Sequence, residues 1–293
     1  MQEQDRDQGT ELEEGLQYAE GFILQGQEEA ARDLLKGWAD DVEAYVDANC
    51  PTTDRVQWFS FPTLFERLAY RRVERDPREL RDVGEPLDRL YADLAWACAH
   101  LGDYDMATSA LQQAVRWNPM GCEHRLNLAD LYRVAGDMQE FLALSYSVFE
   151  RASDARHLAR AYVNFVGYFV AEQKPRTAAA ALRAARRLDV RDQSVRAALE
   201  EAKGTDHDPD LVGDEETAEL LGQEGLPEGA NADIAVTLLM CATDAAAAHD
   251  DEVATSLVLR ARDLVGEDAC KALLQLIHES DAEGGEADGA DQG

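Results

Sequence analysis

The residues that could carry chemistry in this chain are few, and none forms a complete constellation. Cys122 and His124 are the only close Cys/His pair. A zinc site needs about four ligands at turn spacings, and no second pair stands nearby, so no metal is expected there. His207 sits among Asp206, Asp208 and Asp210, a set that reads as a solvated charge run rather than a cation site. The stretch from Asp281 is rich in Asp, Glu and Gly, but lacks the spacing and closing glutamate of a calcium loop. His100, His157, His249 and His278 are singletons. No glycine-rich phosphate loop, GxSxG, HExxH or kinase signature occurs. With 59 carboxylates in the chain, any one acidic pair is uninformative about acid/base work. The expectation is therefore no catalytic residue, no cofactor and no metal.

Charge narrows the partners. The net charge of −31 is uneven: residues 1–54 carry −12, 55–203 carry +1, and 204–293 carry −20. Such a field repels phosphate backbones and anionic lipid surfaces, so neither nucleic acid nor membrane is an expected partner. Five dispersed cysteines read as reduced, buried apolar side chains. The first fourteen residues have no apolar core of a signal peptide, and the longest apolar run, Ile234 to Ala242, is too short to span a bilayer. A cytoplasmic location is the default expectation.

The elements that must position any working surface are helical. In residues 88–121, Tyr91, Leu94, Ala95 and Cys98 form one helical stripe, and Gly102 is placed to end that helix. Ala107, Leu111 and Ala114 form the stripe of a second helix, which Asn118-Pro119 stops. Alanines seven apart let two helices approach closely. This unit resembles the tetratricopeptide repeat, with Tyr91, Leu94, Tyr104, Ala107, Ala114 and Pro119 in matching places. Ala95 and Cys98 stand where Gly and Tyr are usual in that family. Residues 122–155 repeat the pattern through Leu128, Ala129, Tyr132 and Gly136-Asp137, with Phe141 and Val148 in place of alanines. Residues 159–192 continue it with Tyr162, Phe165, Phe169, Ala178, Leu182 and Ala185. Looser pairs flank these, one through Tyr18, Ala19, Phe22, Ala31, Leu35 and Trp38, the other through Leu238, Cys241, Ala242, Ala254, Val258 and Ala261.

The resemblance implies an all-α fold, a right-handed α-solenoid of tetratricopeptide-like helix-turn-helix pairs over 11–203. A disordered acidic N-terminus (1–10), an acidic linker (204–230, with a short helix at 215–223), a C-terminal helix pair (231–280) and a disordered acidic tail (281–293) complete the expected order. Residues 50–87 interrupt the repeats; a helix over 62–74, then a short helical piece, is expected. Its aromatic cluster of Trp58, Phe59, Phe61, Phe65 and Tyr70 reads as core filler before it reads as a ligand pocket.

In such a solenoid the first helices of the repeats line a concave groove. Helix geometry then selects Arg89, Asp93, Trp96, Asn127, Asp130, Arg133, Arg160 and Asn164 as groove residues. Arg and Asn could bind a peptide backbone or carboxylate, and Trp96 could anchor an apolar side chain. The carboxylate clamp of some tetratricopeptide domains is incomplete here, with only Asn127 and Arg160 near such places. Arg183, Arg186, Arg187, Arg191 and Arg196 are expected to pair with the acidic residues that follow rather than with a partner. The implied function is a non-enzymatic adaptor, scaffold or co-chaperone-like module that binds a protein or peptide. The alternatives are a peptide receptor that changes curvature, or an enzyme of unfamiliar type built on 50–70. The partner's identity and the oligomeric state stay open.

Overall fold

A computed structural model describes residues 4–290, with side chains described for 11–279. It is all-α apart from one pair of short strands, and it divides into two units, 1–144 and 145–293.

The first unit begins with α1 (Gln4–Leu24) and α2 (Glu28–Asn49), joined at Gly26, whose φ of +67° suits glycine. Leu12, Leu16 and Ala19 of α1 are buried with Ala31, Leu35 and Ala39 of α2 in one cluster. The spacing of three and four is that of apolar helix faces. The next clear pair is α4 (Leu87–His100) and α5 (Tyr104–Trp117). Gly102 turns the chain at φ +79°, and Asp103 caps α5 by accepting from the Met106 amide. Ala107 and Ala114 are fully buried, so the two backbones approach closely at the expected small residues. Then follows α6 (Cys122–Ala135), and after Gly136 at φ +81° comes α7 (Met138–Arg151), within which the division between the units falls.

The segment between the first two pairs differs from the sequence expectation. It forms β1 (Val56–Phe59), α3 (Leu64–Glu74) and β2 (Glu79–Asp82), with the strands parallel and Val56 opposite Glu79. The helix agrees with the expected one; the piece expected to be helical after it is a strand. Ser60 joins this insert to the repeats: its hydroxyl donates to the Glu85 carbonyl at 2.6 Å and accepts from the Leu87 amide at 3.0 Å. Its own amide donates to the Trp117 carbonyl at 2.9 Å. Phe59, Phe65 and Tyr70 are buried, and Phe59 packs 4.6 Å from Tyr70 and 4.8 Å from Phe61, centroid to centroid.

The second unit contains α8 (Ala155–Ala171) and α9 (Pro175–Arg187), then α10 (Gln193–Ala202), a 3-10 turn at Pro209–Leu211 and α11 (Asp214–Gln223). The turn between α8 and α9 has no glycine; Gln173 takes φ +58° instead, and Pro175 opens α9. The segment read as an acidic linker lies on α9. Arg183 meets Asp214 at 2.7 Å, Arg186 meets Asp210 at 2.9 Å and Arg187 meets Glu228 at 2.6 Å. Beneath those pairs Pro209, Val212, Leu221 and Leu226 are buried. The Tyr162 hydroxyl donates to the Pro227 carbonyl at 2.9 Å and accepts from the Gly229 amide at 2.7 Å. α12 (Ala232–Ala247) and α13 (Asp251–Val265) pair as a hairpin, and α14 (Glu267–Ala290) packs on both. Disorder was expected over 1–10 and 281–293. Residues 1–3 and 291–293 fall outside those described, whereas 4–10 and 281–290 continue α1 and α14 as helix. Among the described residues no helix is long and apolar enough to cross a membrane.

Candidate partner-binding groove

Five of the eight groove candidates come together in the first unit. Arg89, Asp93 and Trp96 repeat at helical spacing along α4, and Asn127 and Asp130 along α6. They line one cleft of about 490 Å³, with Ala92, Ala95 and Ala99 as its small-residue floor on α4. Short side chains there leave the room that larger ones would fill.

Arg89 is already engaged. Its Nε donates to Glu20 and its Nη1 to Glu13, both on α1 and both at 2.7 Å. The guanidinium that could have received a partner's carboxylate is thereby neutralised, and it fixes α1 against α4. Trp96 is 39% exposed and stacks on His100 with 3.6 Å between ring centroids and 24° between planes. His100 Nδ1 lies 2.9 Å from the Trp96 carbonyl, which holds the ring pair in place.

Asp93 is the unusual group. Its Oδ2 is enclosed and has no hydrogen-bond partner. Burial, reinforced by the Glu20 charge, pushes its carboxyl up to about 6, while Arg89 and His124 pull it down. Deeper in the cleft, Asp88 is buried and accepts from Asn118 Nδ2 at 3.0 Å, with His124 Nε2 3.7 Å away. The His124 ring lies under Gly121, where a Cβ would meet its Cδ2 at 2.5 Å. That close approach excludes a side chain at 121.

The remaining candidates are placed otherwise. Arg133 pairs with Asp130 at 3.3 Å and lies 5.9 Å from the Phe141 ring centroid, outside the cleft lining. Arg160 and Asn164 belong to α8 in the second unit, where the Asn164 amide donates to the Ser145 hydroxyl at 2.8 Å. Sequence reasoning missed Asp88, Glu123, His124 and His100 as cleft residues. His124 precedes Asn127 by three positions, so the same helical spacing contained that signal. Cys122 is buried while His124 faces the cleft, which separates the pair once weighed for a metal. Among the described residues no cluster of His, Cys, Asp and Glu could hold a metal ion.

No family model matches the chain, and no curated protein matches it. Two solved structures resemble it at low level. One is from a functional characterisation of Pseudomonas aeruginosa pilF, at 15% identity and a TM-score of 0.42, covering 94% of this chain and 99% of that one. The other is a Podospora anserina putative kinesin light chain with nearly identical TPR-like repeats. It is also 15% identical, with a TM-score of 0.38, covering 93% and 98%. Likenesses below a TM-score of 0.5 carry no argument about this chain. Among the described residues its own helix hairpins, three of them turned at Gly26, Gly102 and Gly136, make it a mainly helical protein of helix-hairpin architecture.

Proposed function

We propose that the cleft between α4 and α6 is a docking groove for a partner polypeptide, and that the chain works as an adaptor or scaffold without a reaction of its own. The observation that carries this reading is the Trp96–His100 stack, half open at the edge of a cleft whose fixed charges are mainly carboxylates. A rigid aromatic beside a partly desolvated acid is a common form of binding hot spot.

The charge of the cleft refines the partner. With Arg89 held by Glu13 and Glu20, and Asp130 paired with Arg133, the lining presents Asp93 and Glu123. A segment carrying arginine or lysine suits it better than a C-terminal carboxylate. Such a side chain would lay its apolar stem on Trp96 and bring its charge to Asp93. The net charge of −31 argues in the same direction against nucleic acid and anionic lipid.

The test is a peptide library presented to the intact chain and to Trp96→Ala. Selected peptides should be basic, and their capture should fall by at least about tenfold in the variant at unchanged helix content. Acidic selected peptides, or capture indifferent to Trp96, would contradict the reading.

A further inference from the structure

A second cleft in the first unit has a different composition. It holds about 590 Å³ where α1 and α2 face the end of β1 and the turn after β2. Trp38 and Tyr45 of α2 and Trp58 of β1 supply its aromatic walls, and Glu11, Asp41, Asp82 and Glu85 supply carboxylates. No lysine, arginine or histidine is among the described residues that line it.

Two of its polar atoms are buried with no hydrogen-bond partner: Trp58 Nε1, a donor, and Glu85 Oε2, an acceptor. Neither atom is open to solvent, so neither is offered directly to a ligand. The walls are also held in position. The Trp38 ring lies against Gly15, where a Cβ would come within 2.4 Å of its Nε1. Trp58 already attracts one cation, since the Arg81 guanidinium stands 5.6 Å from its ring centroid. Burial and the charge of Glu13 push the Glu85 carboxyl above its usual range, a shift that a bound cation would reverse.

We propose that this cleft binds a small substituted organic ammonium ion. The indole and phenol faces attract the cation through their quadrupoles. The carboxylates of Glu11, Asp41, Asp82 and Glu85 attract its charge, and their solvent-facing oxygens accept from the ammonium N–H. A neutral aromatic or aliphatic ligand would leave these carboxylates unmatched, and an anion would meet all four of them. The reading is independent of the groove between α4 and α6, with which it shares no lining residue.

The experiment titrates the full chain with N,N-dimethylethanolamine at neutral pH, where it is protonated, and with its neutral carbon isostere 3-methylbutan-1-ol. Binding is read by tryptophan fluorescence and by calorimetry. Saturable binding of the ammonium, at least about tenfold tighter than the alcohol, is expected. Glu85→Gln and the exposed Asp41→Asn should each weaken it several-fold at unchanged circular dichroism. Equal affinity for the two compounds, no saturation, or binding indifferent to both substitutions would overturn the proposal. A dimethyl-lysine peptide and phosphatidylcholine vesicles, titrated in parallel, distinguish a side chain or a headgroup from a free amine as the source of the cation.

Discussion

Asp93 shows how a single residue's environment can be read as energy. Its folded value of about 6 lies above the ordinary 3.8, so the folded chain keeps this proton to higher pH than the unfolded chain does. The carboxyl therefore lowers stability above about pH 6, and that cost disappears as pH falls below the ordinary value. Asp93→Asn should raise stability by on the order of 1–2 kcal/mol at pH 8, after allowance for solvent screening, and by nothing at pH 3. Urea unfolding at the two pH values checks this; a gain independent of pH would mean that Asp93 is not strained by its charge. Asp93 and Trp96 were legible as neighbours on one face of α4 because helical spacing alone places them there. The neutralisation of Arg89 was not, because Glu13 and Glu20 lie about seventy positions earlier in the chain and no local pattern links them.

At the scale of elements, turn chemistry explains which boundaries were legible. Gly102 and Gly136 end helices in the left-handed conformation that glycine adopts at least cost, and both turns stand out in the sequence. Gln173 does the same work at φ +58° without glycine's freedom. Gln173→Gly should stabilise the second unit by about 0.5–1 kcal/mol, and Gly136→Ala should cost about 1 kcal/mol, in thermal unfolding. A destabilised Gln173→Gly would show that the Gln side chain makes a contact that outweighs its backbone strain. The two strands were missed for a different reason. Four residues give too little alternation to separate a strand from a helical turn, and β2, with Glu79, Arg81 and Asp82 exposed, has only Leu80 buried. Their pairing is long-range, set by the crossover through α3 and by Ser60, rather than by local propensity.

Within each unit of the molecule, charge and burial compete to hold the pieces together. The segment over 204–230 looks electrostatically clamped, since Lys174, Arg176, Arg183, Arg186 and Arg187 all reach its carboxylates. These pairs are largely exposed, and exposed ion pairs contribute little to stability and less in salt. Leu221 is fully buried, and truncating such a leucine costs about 2–5 kcal/mol. Burial should therefore win: molar salt should leave the segment resistant to protease, while Leu221→Ala should open it to cleavage in low salt. Release by salt alone would reverse that ranking. The sequence foretold the pairing of Arg183, Arg186 and Arg187, but not that of Lys174 and Arg176, and no pairing of Arg191 or Arg196 with the segment is seen among the described residues. It did not foretell the docking, because Val212, Leu221 and Leu226 are too sparse to form a periodic stripe. The central claim is that the α4–α6 cleft docks a basic polypeptide. It is tested most directly by the dissociation constant of a library-selected peptide for the intact chain and for Trp96→Ala. The account predicts a basic peptide whose affinity falls by at least about tenfold in the variant, with helix content unchanged. An acidic peptide, or one bound equally by both proteins, would contradict it.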